Sequence, residues 1–144
     1  MKIIDEIKRI VENELELPFI YENFYKINEE LDYTNLPCVG CQRLVNGTLN
    51  NEAGQIKDSA PFLLFFINSS TYNYSSLENQ AIIDVQKETA IDFIRAVEAS
   101  NLIKYEGEIR YENFYNKFDF NDLINTGVAL SITLKERAGS VYCI

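Results

Sequence analysis

The stretch Phe62–Ile67 (FLLFFI) is the longest apolar run in the chain and its strongest strand signal. No polar residue alternates with the apolar ones. Both faces of the predicted strand are therefore apolar, as in a central strand covered on both sides. If the side chains of one face, such as Phe62, Leu64 and Phe66, stayed in water, each would forfeit about 1.5–3 kcal/mol. The run thus predicts a central strand whose two faces both need cover.

Two amphipathic segments flank this strand and predict two helices. The first ends at Leu17-Pro18, because the residue before a proline avoids the helical region. The second extends from about Ser76 to Ser100, and Ser75 with Glu78 fits a capping box at its start. The apolar stripe of the first helix consists of Ile3, Ile4, Ile7, Ile10 and Val11. The stripe of the second consists of Ile82, Val85, Thr89, Phe93 and Val97, widened by Ala90 and Ile94.

The other extended segments are separated by turn signals. Asn46-Gly47 predicts a turn, because both residues tolerate positive φ. The polar residues at about 46–58 predict the outer part of a long hairpin or a mobile loop, and Gly127 and Gly139 bracket the last strand. The predicted strands are Phe19–Ile27, Cys38–Val45, Phe62–Ile67, Ile103–Tyr111 and Val128–Leu134.

This order of elements predicts a single α+β domain that spans residues 1–144. Long hairpins and one long crossover favour a mostly antiparallel sheet of four to five strands, with two helices packed on one face. A chain of 144 residues suits one core of ordinary size. We also expect a flexible hairpin at about 46–58 and a C-terminal tail at 139–144.

The net charge of −9 argues against sequence-specific nucleic-acid binding. Such binding needs clustered Lys and Arg that displace counterions, whereas the 13 basic residues here are scattered. An acidic protein can still surround DNA that slides past it. No apolar run approaches the roughly 20 residues of a membrane span, and the N-terminus has acidic residues where a signal peptide would be apolar. We therefore expect neither membrane association nor secretion by that route.

Cys38 and Cys41 form a C-x-x-C pair, and Cys143 is the third cysteine. An odd number without a signal peptide predicts free thiols in a reducing compartment. A structural zinc site needs four ligands, and the chain has no His. A redox-active pair needs a helix N-terminus, whereas a strand signal follows Cys41. We therefore expect two small residues on a strand, with no metal and no cofactor.

Catalytic groups are equally sparse. Without His, a Ser-His-Asp triad is impossible within this chain. Two groups of carboxylates remain, Asp119 with Asp122 and Glu29-Glu30 with Asp32. Both lie in loop-like stretches, where solvated carboxylates are ordinary. We expect that the protein is not an enzyme.

Two kinds of cover are available for the second face of the central strand. Aromatic segments of the same chain, Tyr21–Tyr25 or Tyr111–Phe120, can fold over it, and a neighbouring copy of the chain can do so as well. The residues leave both open. The second kind of cover would make the protein a subunit of an assembly whose copies seal each other's sheets.

The closing segment Phe118–Glu136 (FDFNDLINTGVALSITLKE) leads from an aromatic, Asp-containing loop through a glycine into an alternating strand. This segment, together with the order of helices, long hairpin and central strand, resembles the tail-terminator and tail-completion proteins of tailed bacteriophages. The resemblance covers most of the chain in outline. It implies a structural virion protein that forms a homo-oligomeric head–tail connector or tail-terminator ring.

The implied ring contains six or twelve copies, contacts neighbouring head–tail or tail-tube proteins, and leaves room for DNA to pass through. It would assemble in the cytoplasm of the bacterial host and remain in the virion. Subunits would pair by edge strands and hairpins in head-to-tail contacts that close. The candidate interface residues are Asn46, Gly47, Asn50, Ile56, Tyr72, Tyr74, Val141 and Tyr142.

The alternative is a monomeric or dimeric cytosolic α+β module that binds a small ligand or a protein partner. Aromatic loops near the end of a sheet make good pockets, and a closed cavity there would support this function. Its predicted lining is Tyr111, Phe114, Tyr115, Phe118 and Phe120.

Overall fold

The computed structural model describes residues 2–23, 26–27, 36–70, 75–120 and 123–137. Over these ranges the chain forms two α-helices and a six-stranded mixed sheet, which confirms the predicted α+β class. The helices are α1 (Lys2–Arg9), which continues as a π-helical turn over Ile10–Glu14, and α2 (Ser76–Ala99). The strands are β1 (Phe19–Tyr21), β2 (Cys38–Arg43), β3 (Thr48–Glu52), β4 (Gln55–Ser70), β5 (Ile103–Phe120) and β6 (Leu123–Glu136).

The sheet has the order β1-β2-β4-β6-β5, and β3 pairs with the outer part of β4. Every pair is antiparallel except β1 with β2, which is parallel. The mostly antiparallel sheet is therefore confirmed, but it has six strands instead of four to five. The additional strand comes from the polar segment after Asn46-Gly47, which pairs with β4 although it has no buried apolar face.

The tight turn of the hairpin lies at Ala53-Gly54 and not at Asn46-Gly47. Ala53 and Gly54 have φ of 51° and 82°, the left-handed conformation that a two-residue hairpin turn requires. Asn46-Gly47 instead connects β2 to β3, two strands that do not pair with each other. The dipeptide signal misplaced the turn because it takes no account of which flanking segments can pair.

Both helices cover the same face of the sheet, as predicted. Phe62, Leu64 and Phe66 point to this face and are fully buried. The ring of Phe66 packs edge-on against Phe93 of α2, with 6.1 Å between the ring centroids. The predicted stripe of α1 is confirmed, because all of its residues are buried in this layer: Ile3, Ile4, Ile7, Ile10 and Val11.

The opposite face of β4 is covered by the same chain at its inner end. Phe65 and Ile67 point to this face and are at most 1% exposed. They pack with Ile20 of β1, with Ile27 and with Phe114 of β5, whose ring lies edge-on to Phe65. Cover by a neighbouring copy is therefore wrong for this part of the face. The parallel pairing of β1 with β2 brings the preceding segment over the sheet, where it supplies the missing apolar surface.

The second helix begins and ends where its sequence predicts. The backbone N–H of Glu78 donates to Ser75 Oγ at 3.2 Å, and the backbone N–H of Ser75 donates to Glu78 Oε1 at 3.4 Å. This capping box satisfies two donors that the first turn leaves without a helical partner. The helix then continues to Ala99.

The apolar stripe of α2 is as predicted in the second half of the helix but misplaced in the first. Val85 is 60% exposed. The helix turns Asn79 toward the sheet, where its Oδ1 accepts hydrogen bonds from Ser70 Oγ at 2.7 Å and Thr126 Oγ1 at 3.4 Å. A polar residue at a buried position interrupts the apolar period, which explains the error. The buried residues of α2 are Asn79, Ile83, Gln86, Ala90, Phe93 and Val97.

A buried carboxylate joins α1 to the end of α2. Glu6 accepts hydrogen bonds from Arg9 Nε at 2.6 Å and from Ser100 Oγ at 2.5 Å. Arg137 adds a second link, because its Nε donates to the carbonyl oxygen of Ser100 at 2.6 Å. Burial raises the pKa of Glu6, but the hydrogen bonds from Arg9 and Ser100 and the charge of Arg9 outweigh it, so the net effect lowers the pKa.

The last two strands are longer than predicted. β5 continues to Phe120, and β6 begins at Leu123 rather than after Gly127. Gly127 lies inside β6, where a Cβ atom would overlap the carbonyl oxygen of Phe66. Glycine inside a strand marks such a close approach of another backbone. Gly139, the other predicted boundary, lies outside the described residues.

Candidate subunit interface

The outer part of the hairpin β3–β4 extends beyond the sheet as a two-stranded ribbon. β2 pairs with β4 over Phe62–Ile67, and β6 pairs with it from Ser59 onward. Within the described residues, β3 is therefore the one strand beside residues 55–58 of β4. The predicted hairpin is confirmed, while its predicted flexibility stays a prediction.

This ribbon holds two large aliphatic side chains in solvent. Leu49 is 73% exposed and Ile56 is 63% exposed. Leu49 pairs with Asp58 and Asn51 pairs with Ile56, so Leu49 and Ile56 share one face of the ribbon. It is the face that packs against the helices further along β4. Neither residue belongs to the buried clusters, so their apolar surface contributes little to the stability of the monomer.

Polar contacts from neighbouring strands brace the base of the hairpin. Arg43 Nη2 donates to both carboxylate oxygens of Asp58, at 3.2 and 3.1 Å. The guanidinium of Arg43 also lies over the ring of Phe62, 5.8 Å from its centroid. On the other side, Glu136 Oε1 accepts a hydrogen bond from the backbone N–H of Asp58 at 3.1 Å. The ribbon therefore leaves the sheet in a direction that β2 and β6 both constrain.

Lys135 links the hairpin to the far edge of the sheet. Its ammonium forms ion pairs with Glu52 of β3 and with Glu106 of β5, the latter at 3.1 Å. The side chain of Lys135 is only 9% exposed. A charge removed from water in this way needs such partners, because an unpaired buried charge costs several kcal/mol. One cation thus connects three different strands.

An apolar groove of about 180 Å³ opens between α2 and β5. Its polar rim is Lys87, whose Nζ lies 4.7 Å from the ring centroid of Tyr111 and 3.4 Å from the Tyr111 hydroxyl oxygen. Such a cation over an aromatic face is attracted by the ring's quadrupole. The rest of the lining is apolar: Ala90, Ile91, Ile94, Ile109, Val128 and Leu130.

The two long edges of the sheet differ in their protection against another strand. β5 carries alternating charges at its edge and two irregularities in its pairing with β6, between Glu106 and Arg110 and between Phe114 and Phe118. Charges and bulges are the devices by which proteins block pairing at an edge. β3, with the sequence TLNNE, has one charged residue and no irregularity. The hairpin edge is therefore the less protected of the two.

Four of the eight predicted interface residues lie in the described part of the chain, and all four are exposed. Asn46 and Gly47 lie in the connection before the hairpin, and Asn50 and Ile56 lie on the hairpin itself. That they contact another copy stays a prediction. The sequence reasoning missed Leu49, because its position beside Ile56 follows only from the turn at Ala53-Gly54. The other four lie outside the described residues: Tyr72, Tyr74, Val141 and Tyr142.

The predicted ligand pocket is not formed by the two of its five residues whose side chains are described. Tyr111 lies on the helix face and is 54% exposed, whereas Phe114 is buried on the opposite face against Phe65. Residues three positions apart on a strand point to opposite sides, so these two cannot line one cavity. The side chains outside the described part are those of Tyr115, Phe118 and Phe120.

Cys38 and Cys41 also point to opposite faces of the sheet. Cys38 packs with the cluster around Phe65, and Cys41 packs in the layer beneath the helices. Burial raises the pKa of both thiols to about 12, so neither thiolate forms readily at neutral pH. The interpretation as two small residues on a strand is confirmed, and the pair cannot share a disulfide or a metal ion in this fold.

Other chemistry has little support in the described part of the chain. Among those residues, no group of three or more His, Cys, Asp or Glu is placed to hold a metal ion. The side chain of Asp119 in β5 is not described, and Asp122 lies outside the described residues, as do Glu29, Glu30 and Asp32. Neither described helix combines the length and apolar character that crossing a membrane requires.

Comparison with known proteins adds no family. No protein-family model matches this chain, and no curated protein is significantly similar to it in sequence. The resemblance to phage ring proteins therefore stays a prediction from the order of elements and the closing segment.

Proposed function

We propose that this protein is a structural subunit of a homo-oligomeric ring at the head–tail junction or tail terminus of a tailed phage. The observation that carries the proposal is the braced hairpin β3–β4, which holds Leu49 and Ile56 in solvent. A monomer gains no stability from such a ribbon, whereas an interface between copies would bury it. The order of elements supplies the kind of ring, through its resemblance to tail-terminator and tail-completion proteins.

The hairpin replaces the sheet face as the argument for assembly. Phe65 and Ile67 are already sealed by the same chain, so a neighbour gains nothing by covering them. The exposed aliphatic pair on the ribbon is the apolar surface that remains available. An interface core enriched in large apolar residues and surrounded by polar ones is the usual composition of a stable contact.

The charge of the chain supports a ring through which DNA passes without being held. A net charge of −9 with scattered basic residues disfavours the phosphate contacts that dominate DNA affinity. A channel lined by such subunits would let the duplex slide. The proposal includes no cofactor, no metal, no catalytic activity and no membrane contact.

Light scattering coupled to size-exclusion chromatography, followed by electron microscopy, tests the proposal. We expect closed rings with a central opening, and we expect the same protein in purified tailed particles. Leu49→Asp with Ile56→Asp should convert the rings to monomers, because two carboxylates would have to be buried in the contact.

The matched control is Leu77→Asp with Val85→Asp, which adds the same charge on α2. Leu77 is 84% exposed and Val85 is 60% exposed, and neither lies on the hairpin. This variant should keep the rings. A wild-type protein that stays monomeric or dimeric at high concentration and is absent from particles contradicts the proposal and favours the binding-module alternative.

A further inference from the structure

We propose that Leu49 and Ile56 of one copy insert into the groove between α2 and β5 of the next copy. This inference rests on the proposed ring and names the contact that would build it. The hairpin is the projecting partner, and the groove beside Ile91, Ile94 and Tyr111 is the receiving one. Each subunit carries both.

The size and lining of the groove fit an aliphatic side chain. Its volume is about 180 Å³, and its floor and walls are apolar apart from Lys87. An apolar cavity of about 150 Å³ in another protein accommodates one benzene molecule. The groove is therefore of the size that takes one or two aliphatic side chains from a partner.

The groove and the hairpin of one chain cannot reach each other. Leu130, in the floor of the groove, pairs with Leu64 of β4. Ile56 precedes Leu64 by eight residues in the same continuous strand, which places it about 26 Å away at about 3.3 Å per residue. The hairpin that fills the groove must therefore belong to another molecule.

The charges at the two surfaces are compatible. The groove is rimmed by the cation of Lys87. The hairpin carries the carboxylates of Glu52 and Asp58, while its one basic residue, Lys57, is buried. Two copies of a chain with a net charge of −9 repel each other in general, so a contact that places the acidic hairpin beside a cation is favoured over others.

A contact between two different surfaces of identical subunits is heterologous. Such contacts propagate from copy to copy and close into a ring when the rotation between copies permits it. An isologous contact, hairpin to hairpin, would instead stop at a dimer. The proposed contact thus makes a specific prediction about mixtures of variants.

The first experiment mixes a hairpin variant, Leu49→Asp with Ile56→Asp, with a groove variant, Ile91→Asp. Each alone should be monomeric, with a mass of 16.6 kDa by light scattering. Their mixture should form a dimer of twice that mass and no ring, because one intact hairpin meets one intact groove. A mixture that stays monomeric, from two variants that keep wild-type circular dichroism, overturns the proposal.

The second experiment does not depend on charged variants that disturb folding. Ile56→Cys with Tyr111→Cys, in a Cys143→Ser background, should give disulfide-linked ladders under mild oxidation. Cys38 and Cys41 do not compete, because burial raises the pKa of both to about 12. The control Leu77→Cys with Tyr111→Cys should give at least ten-fold less cross-linked product.

The two proposals fail in different ways. If the wild-type protein forms no oligomer, the proposed ring fails and this contact fails with it. If the wild-type protein forms rings that tolerate the hairpin variant, or if the cysteine pair does not cross-link within those rings, the ring stands and the contact proposed here is wrong.

Discussion

The two ends of strand β4 carry similar side chains in opposite environments. At the inner end, Phe62–Ile67 lies between β2 and β6, with helices on one face and the segment around Ile20 and Ile27 on the other. At the outer end, Ile56 lies on a two-stranded ribbon and is 63% exposed. The strand is continuous between them.

The difference teaches that different forces hold the two ends. Full burial of one large aliphatic side chain contributes about 1.5–3 kcal/mol, whereas an exposed ion pair contributes about 0.2–1 kcal/mol. The inner end depends on burial, and the outer end depends on pairs such as Arg43 with Asp58. We therefore expect stability to reside at the inner end, which leaves the outer end free to serve a contact.

The largest expected effect is that of Gly127→Ala, which would break the inner end. Gly127 pairs with Ile67, and an added Cβ would overlap the carbonyl oxygen of Phe66. Because backbone atoms cannot give way as a flexible side chain can, we expect a loss of more than about 4 kcal/mol in unfolding free energy, or insoluble protein. Ser131→Ala, at an exposed position of the same strand, should change stability by less than about 0.5 kcal/mol. A soluble Gly127→Ala variant of wild-type stability contradicts this packing.

A matched pair of substitutions in β4 sharpens the comparison most directly. Ile67→Ala should cost about 2–5 kcal/mol, because it leaves a cavity beneath Ile20 and Ile27. Ile56→Ala should cost less than about 0.5 kcal/mol. Urea denaturation of dilute protein measures both under conditions in which a ring would be dissociated. Equal costs at the two positions would show that the outer end is also part of the stabilising core.

The smallest expected effect concerns pH and a carboxylate on the core side. The pKa of Glu6 is lowered in the folded protein, so folding favours its charged form. This contribution is fully present above the unfolded pKa of about 4.3 and is lost as the pH falls through the lower folded pKa. Glu6→Gln should therefore cost about 1 kcal/mol at pH 7, and its difference from wild type should shrink below pH 4. Glu12→Gln, on the exposed side of the same segment, should show no such pH dependence in parallel urea titrations.

The fold was predictable from the sequence wherever one signal dominated. The run Phe62–Ile67 has no polar residue, so it predicted a central strand in any context. Ser75 and Glu78 predicted the start of α2 because a capping box depends on four consecutive residues and not on distant ones. The stripe of α1 was equally local, and all of its residues are buried.

The parts that were missed depend on pairing between distant segments. Strand β3 has no apolar face, and only its register with β4 reveals it. The same register places Leu49 beside Ile56, which no spacing in the sequence indicates. The stripe of α2 was misplaced because Asn79 is buried by partners on β4 and β6. Long-range hydrogen bonds of this kind leave no periodic trace.

The triple contact of Lys135 has a consequence for anyone who redesigns the hairpin. Replacing Lys135 alone would leave Glu52 and Glu106 as neighbouring negative charges with no counterion between them. Replacing either glutamate alone would leave a nearly inaccessible ammonium with half its compensation. The three positions therefore behave as a single unit of substitution, and a grafted or swapped hairpin has to bring its own acid or arrive with all three exchanged together.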